Sequence, residues 1–412
     1  MRKKILLIVG VLSCGLALTA AQVDPYRLIG QLLLPQGQQG DVRREVRKAL
    51  EEVGEKTLDA LIEATYYGQL LNWEIEMPLA PGEKLQLTYQ VEYKGGYGAK
   101  TIITSVISAS GVENETLETT KKMAGIRRKG RKVRPPLKVG DVVTFIVEVV
   151  NATKHPLEAV LIGDALFEGF TYLAGSSEVT GAKGKAKVEP VIRDAAWIRW
   201  DAVNVLGNLA GRDPEAFRPA IPALVARALT DINTHPRWRS LWALGAFPKE
   251  TIEEEVIPRL REGLKSSDDR IVWNAAVAMA FFGQEEVAPI LDQGLSSKNQ
   301  FQRWEAAYCL GMVHDEASVD LLCRIVSNPN EDQRLRQEAV NSLGRIGDPG
   351  AIPVLIAALK DPAAGIRWRA AIALANIGDP SVIPALKEAL ANEKDPYAAQ
   401  QIQKAIDRLS QL

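Results

Sequence analysis

The chain has 412 residues, 46% hydrophobic and 25% charged, which excludes a disordered, collagenous or multi-span membrane protein. Fifty Lys and Arg against 51 Asp and Glu leave a formal charge of -1, so no global basic field points to nucleic acid. Three Cys and three His exclude a disulfide scaffold and argue against a zinc site, so no metal or cofactor is expected. This length divides into two or three domains. Eight Trp against eight Phe is the unusual count.

At the start, Arg2, Lys3 and Lys4 precede an apolar run from Ile5 to Ala17 and Leu-Thr-Ala-Ala at 18–21. A positive segment, a short apolar segment and small residues before the cut spell a secretory signal over 1–21. Two alternatives stand. One is an uncleaved anchor, for which the run is short. The other is a lipid-acceptor box ending at Cys14, against which the apolar stretch continues through Leu18. The expectation is an exported protein: periplasmic, cell-surface or secreted. Cys309 and Cys323 then remain, expected on helices as buried thiols, with a disulfide between adjacent helices as the alternative.

Residues 22–66 are expected to hold a helical hairpin. Val42-Arg43 to Leu50, Val53-Gly54, Leu58, Leu61 and Ile62 give either a repeat unit of the kind found later in the chain or a plain amphipathic pair. From Asn72 the period changes to two. Leu85, Leu87, Tyr89, Val91 and Tyr93 alternate with polar partners, and Val143, Phe145, Val147 and Val149 do so less cleanly. Gly95-Gly96, Gly140-Asp141 and Gly175-Ser176 supply turns. Several such strands make an antiparallel sandwich over 67–190. Within it Lys121-Lys122, Arg127-Arg128-Lys129, Arg131-Lys132 and Arg134 form a dense basic run. It reads as a solvated loop over 121–138, with anionic polymer or lipid binding as the alternative.

Two pieces of this region resemble the conserved-repeat Ig-like domain of bacterial surface proteins. Val139 to Phe145, Asn151 and Gly163-Asp164 to Tyr172 are similar to its N-terminal half. Trp73, Leu79-Ala80-Pro81-Gly82-Glu83 and Leu85 to Val91 are similar to its C-terminal half, yet come first in the chain. The resemblance implies one permuted sandwich or two partial ones in tandem, and the reversed order weakens any transfer of a surface-adhesion role.

From 193 to 412 one pattern recurs. Six segments align on positions 200, 238, 273, 304, 337 and 368, at intervals of 38, 35, 31, 33 and 31 residues. Ala370, Leu374 and Ile377 fall on one helical stripe. In Gly347-Asp348-Pro349 and Gly378-Asp379-Pro380, Gly ends one helix in a left-handed conformation, Asp caps the next and Pro fits its first turn. Ile-Pro pairs at 221, 257, 352 and 383 are expected to bend the second helix of each unit. A unit of about 30 residues cannot bury its own stripe, so neighbours stack into a solenoid. The pattern at Ile366–Pro380 resembles HEAT-like repeats of the phycobilisome-lyase type. The fold class is therefore α+β multidomain: an antiparallel Ig-like β-sandwich followed by a right-handed α-solenoid.

The inventory for catalysis is empty. His155, His235 and His314 stand in unrelated contexts, and no HExxH, GxSxG, phosphate loop or dinucleotide fingerprint occurs. Five of the six repeats place Trp at one register: Trp200, Trp238, Trp273, Trp304 and Trp368. Trp242 and Tyr308 lie one turn later on the same face. These seven residues are the candidate binding site, read either as an aromatic groove or as packing between repeats. The recurrent Arg at 199, 237, 303, 336 and 367 is expected to brace neighbouring turns through Asp or carbonyl partners and not to read a substrate. The expectation is a non-enzymatic scaffold that binds a protein partner through the concave face of the solenoid. Polysaccharide binding along the Trp ladder is the alternative, and the repeat resemblance implies a bilin-lyase-like enzyme as a remote one.

Overall fold

A computed structural model describes residues 40–94, 107–111, 118–134, 137–152, 154, 156–157, 159–167, 170–182 and 184–411, with Pro25, Leu28 and Ile29 before them. The expected signal at 1–21, Cys14 and the Gly95-Gly96 turn lie outside the described residues. The chain divides into two compact units, residues 1–252 and 253–412. Among the described residues no helix is long and apolar enough to cross a membrane.

The first unit opens with helices α1 (Gly40–Val53) and α2 (Leu58–Ala64). Val46, Leu50, Ala60, Leu61 and Ala64 form their buried stripe. Gly54 between them takes φ 72°, which a Cβ would disfavour. It sits four residues after Leu50, as Gly347 and Gly378 (φ 80° and 81°) sit four after Leu343 and Leu374. The pair thus shares a repeat's backbone turn as well as its apolar register.

Among the described residues eleven strands follow: β1 (Tyr67–Ile75), β2 (Lys84–Tyr93), β3 (Ile107–Gly111), β4 (Glu118–Arg128), β5 (Arg131–Val133), β6 (Val142–Val150), β7 (Val160–Phe167), β8 (Phe170–Tyr172), β9 (Glu178–Gly181), β10 (Gly184–Lys187) and β11 (Val191–Asp194). One sheet runs β11-β1-β7-β3. The other runs β10-β9-β2-β6-β4-β5, with β8 also on β2. The alternation read from the sequence is real: Leu85, Leu87, Tyr89, Val91, Val143, Phe145, Val147 and Val149 are all buried. The two halves of the resemblance combine into one two-sheet domain, because β2 pairs with β6 and β1 with β7. Trp73 fills the core, edge-on to Tyr172 and 5.1 Å from the Tyr89 ring.

One expectation is corrected here. The basic run expected as a solvated loop over 121–138 is a strand hairpin from Lys121 to Val133: β4 and β5 pair Ile126 to Val133, and β4 also pairs with β6. Lys129 and Gly130 make its turn, both at positive φ. Lys121 pairs with Asp164 on β7 and Lys122 with Glu148 on β6, while Arg127, Lys129, Arg131, Lys132 and Arg134 are exposed. Arg128 makes two bonds to the buried Asp141, at 2.7 and 2.8 Å.

β11 leads directly into α3 (Ala196–Ala210), the first repeat helix, followed by α4 (Ile221–Thr230) and α5 (Thr234–Leu244). The second unit continues with α6 (Ile257–Gly263), α7 (Asp269–Phe281), α8 (Ala288–Leu295), α9 (Gln300–Met312), α10 (Val319–Ser327), α11 (Gln333–Ile346), α12 (Ile352–Ala358), α13 (Ala364–Ile377), α14 (Ile383–Asn392) and α15 (Pro396–Leu409). Gly347 and Gly378 end α11 and α13 in the left-handed conformation, and Asp348 and Asp379 cap the following turn through the amides of Gly350 and Ser381. The Ile-Pro pairs do not bend a long helix. A 3-10 turn precedes α4, α12 and α14, and a five-residue π turn precedes α6, so the α-helix proper begins at the Ile with Pro in its first turn.

Successive first helices approach closely through small residues. A Cβ on Gly207 would lie 2.9 Å from Ala243 Cα, one on Gly311 2.8 Å from Ser342 Cα, and one on Gly344 2.7 Å from Ala373 Cα. Each glycine is seven residues after the Trp register, and each partner five after it.

In four units the arginine one residue before that register braces the unit against the loop that opens the next. Arg199 grips Asp231 at 2.7 and 3.1 Å, and Arg303 reaches Glu331 at 2.8 Å. Arg336 reaches Asp361 at 2.5 Å, and Arg367 grips Glu393 at 2.7 and 2.6 Å. Arg199 and Asp231 are buried, whereas Arg303 and Glu331 keep about a quarter of their surface. Arg199→Ala takes the bidentate partner from the buried Asp231, leaving it Arg227 at 3.7 Å and the Asn233 amide, and should lower stability by about 3 kcal/mol. Arg303→Ala should cost about 1 kcal/mol or less. Urea unfolding of the two full-length variants checks the contrast.

Candidate functional site

Trp200, Trp238, Trp304 and Trp368 sit on the first helix of their repeats one residue after an arginine, Trp273 holds the same register after Val272, and Trp242 and Tyr308 lie one turn later. At roughly 100° per residue, a side chain there points to the flank of the helix and not along the Ala-Leu stripe. The structure accordingly half-buries Trp200, Trp238, Trp273, Trp304, Tyr308 and Trp368, and leaves Trp242 60% exposed. Their surroundings differ from one repeat to the next.

In the first unit, the guanidiniums of Arg43 and Arg47 on α1 lie 5.6 and 5.2 Å from the Trp200 ring centre. Both arginines also bond the buried Asp201, at 2.7 and 2.5 Å. Trp200 is therefore roofed by the chain's own N-terminal helix. Trp238 and Trp242 share α5, with Trp242 the outermost.

In the second unit, Trp273 is a packing residue. Its indole NH donates to Glu305 on the next first helix at 2.9 Å, and its ring lies over Gly294 on α8. A Cβ on Gly294 would fall 2.4 Å from that ring, so glycine makes the room. In the repeat without Trp, Gln337 packs against Gly365. Trp368 is held between Arg369, 4.0 Å from its centre, and Tyr397, edge-on at 5.5 Å.

Trp304 is different. It stacks between Phe301 at 5.8 Å and Tyr308 at 5.5 Å, the latter nearly parallel at 14°. Arg345 on α11 caps the end of the row, 4.9 Å from the Tyr308 ring, and is held by Glu338 at 2.9 Å. Burial against the neighbouring helices raises the Tyr308 hydroxyl above the ordinary tyrosine range, so it stays a neutral donor. Three aromatic rings and a guanidinium thus form one continuous face, with Phe301 44% exposed at its edge. Phe301 and Arg345 were not among the sequence candidates. Phe301 was within reach, three residues before Trp304 on the same face. Arg345 was not, because its partner ring lies on another helix.

Cys309 is buried and Cys323 half-buried, and they are not joined in a disulfide. Among the described residues no cluster of His, Cys, Asp and Glu has the makings of a metal site.

Two measurements separate the roles. Trp273→Ala should destabilise the protein by about 3 kcal/mol, since it opens a cavity over Gly294 and strips the NH from Glu305. Trp304→Ala, at the open row, should cost about 1 kcal/mol, and thermal unfolding compares them. The Arg367 guanidinium holds the Glu393 carboxyl down at about 2. A carboxylate depressed in the folded state stabilises fully above its unfolded value, about 4.3, and loses that contribution as pH falls through its folded value. Between about pH 4 and 2 the parent should therefore lose stability more steeply than Arg367→Ala, as measured by urea midpoints across that window.

Comparison with known families finds HEAT repeats over residues 221–303 and 328–407, and a PBS lyase HEAT-like repeat over 302–328. No significant match exists among curated proteins. Among solved structures, the chain is similar to an epoxyqueuosine reductase bound to a modified tRNA stem loop, at 30% identity and TM-score 0.21, over 22% of this chain and 28% of that one. It is similar to the CpcE–CpcF complex of phycocyanin lyase from Nostoc sp. PCC7120, at 20% identity and TM-score 0.30, over 36% and 97%. It is also similar to human deoxyhypusine hydroxylase, at 21% identity and TM-score 0.28, over 53% and 81%. Following a two-sheet β domain, residues 221–407 of this chain are HEAT repeats.

Proposed function

We propose that the protein is an exported, non-enzymatic scaffold that binds another protein through the aromatic face of its HEAT repeats. The observation that carries this reading is the row Phe301, Trp304, Tyr308 and Arg345. It combines flat, rigid rings with a guanidinium pinned by Glu338, and aromatic and Arg side chains dominate protein-binding hot spots. Stacked repeats commonly offer such extended binding surfaces. Trp242 at 60% exposure gives the first unit a second apolar contact of the same kind. Export rests on Arg2-Lys3-Lys4 and the apolar run behind them. The absence of enzymatic activity rests on three histidines in unrelated contexts and on the lack of any catalytic motif.

The test is capture of a partner from envelope and culture fractions by the mature chain. The parent is compared with a variant carrying Phe301→Ala, Trp304→Ala and Tyr308→Ala. The variant should bind the identified partner about thirtyfold more weakly, some 2 kcal/mol, while its helical circular dichroism persists. Unchanged capture by the folded variant overturns the assignment of this face. Displacement of the partner by millimolar oligosaccharide would transfer the reading to glycan.

A further inference from the structure

The β-sandwich holds a buried chemical arrangement that partner binding does not use. Lys121 on β4 belongs to the seven-stranded sheet and Asp164 on β7 to the four-stranded one. The Lys121 amine meets both carboxylate oxygens of Asp164, at 2.9 and 2.7 Å. The Tyr89 hydroxyl on β2 donates to one of those oxygens, Oδ2. All three side chains are sealed from water: Lys121 is 4% exposed, Asp164 and Tyr89 0%. The amine lies 4.4 Å from the Phe145 ring centre and 5.8 Å from that of Tyr89, with Trp73 packed behind Tyr89.

Such a pair is an expensive way to join two sheets. Taking an ammonium and a carboxylate out of water costs several kcal/mol per ion, and well-packed apolar residues usually do as well. The same geometry nevertheless suits a reaction, because it holds an amine against a carboxyl carbon in a dry site from which water is excluded.

We propose that this is a modification site, at which Lys121 and Asp164 condense to an intramolecular amide that crosslinks the two sheets. The ammonium first passes one proton to the carboxylate, leaving a neutral amine beside a neutral acid. Burial favours that transfer, since desolvation lowers the lysine and raises the aspartic acid from their ordinary values. Asp164 then turns about its Cβ–Cγ bond to offer its carbonyl face. The Nζ lone pair adds to Cγ and forms the C–N bond. Tyr89 supplies a hydrogen bond to the oxygen that gains charge, the role of an oxyanion donor. Collapse of the adduct breaks one C–O bond, and the hydroxyl leaves with a proton from nitrogen as water. One ammonium and one carboxylate give one amide and one water. Nothing is oxidised or reduced, and no co-reactant enters.

The inference stands apart from the partner-binding reading, and the test is a mass measurement on the purified full chain. Under denaturing conditions the parent should be lighter by one water than its processed sequence requires. Tryptic digestion should yield a branched peptide joining the segments around Lys121 and Asp164. Asp164→Asn should lose one ammonia instead, and Lys121→Ala should keep its full mass. Tyr89→Phe, which keeps the ring, should show a larger uncrosslinked fraction soon after synthesis, shrinking with time as the slower condensation proceeds. A parent chain at full mass, with trypsin cutting after Lys121, overturns the proposal whether or not any variant folds.

Discussion

The repeat region depends on one contact made over and over: an arginine on the first helix of a unit reaching an acid in the loop that opens the next. Arg199 with Asp231, Arg303 with Glu331, Arg336 with Asp361 and Arg367 with Glu393 share the same register. A two-helix unit cannot bury its apolar stripe alone, so its fold is completed by its neighbour. Apolar packing supplies most of that attraction but is not directional. The bidentate guanidinium adds direction, since a planar fork accepts a carboxylate in few orientations. Gly207, Gly311 and Gly344 then let the backbones meet at a distance where any Cβ would collide with the next helix.

Anchoring the arginine also decides what the next residue does. With the guanidinium turned toward the following loop, the next residue, Trp200, Trp304, Gln337 or Trp368, is carried about 100° around the helix, and Trp273 holds that position behind Val272. There it is half-covered whatever its chemistry, which is why the column is neither core nor open surface. What lies beside it is set locally. Where the second helix has Gly294, the Trp273 ring drops onto it and is fixed by Glu305. Where α1 supplies Arg43 and Arg47, Trp200 is roofed. Trp304 has rings of its own helix on both sides, so its face stays continuous and flat. A single repeated residue therefore serves packing in one unit and presentation in another.

This explains how much could be read from the sequence. The register of Arg and Trp, the Gly-Asp-Pro turns and the alternation in β2 and β6 are local patterns, and local patterns survive in one dimension. A bracing Asp was legible for Arg199 and Arg336, but Glu331 and Glu393, longer acids in the equivalent loops, were not. The environment of each Trp was not, since it depends on Gly294, Arg43 or Arg345 arriving from elsewhere in the chain. Lys121 is the sharpest case. It stood in a run of basic residues, and charge density suggested solvent. The side chain instead turns inward because Asp164, on a strand of the other sheet, waits inside. A lysine's composition context says nothing of a carboxylate 43 residues away.

The same logic of distant partners joins the β domain to the first repeat within the N-terminal unit. Besides Asp231, Arg199 donates to the Tyr67 carbonyl at 2.5 Å, and the Ala195 amide donates to Gly68 at 3.1 Å. Arg227 on α4 lies 5.3 Å from the Tyr66 ring. The repeat's bracing arginine thus also receives the start of β1, and β11 feeds α3 with only Ala195 between them. A sheet and a solenoid are usually separable because their cores are independent. Here the buried guanidinium of Arg199 is shared by both, bonding the Tyr67 carbonyl on one side and Asp231 on the other. The N-terminal unit accordingly holds both the sheets and the first repeat helices, with Arg199 and Asp231 buried where they meet.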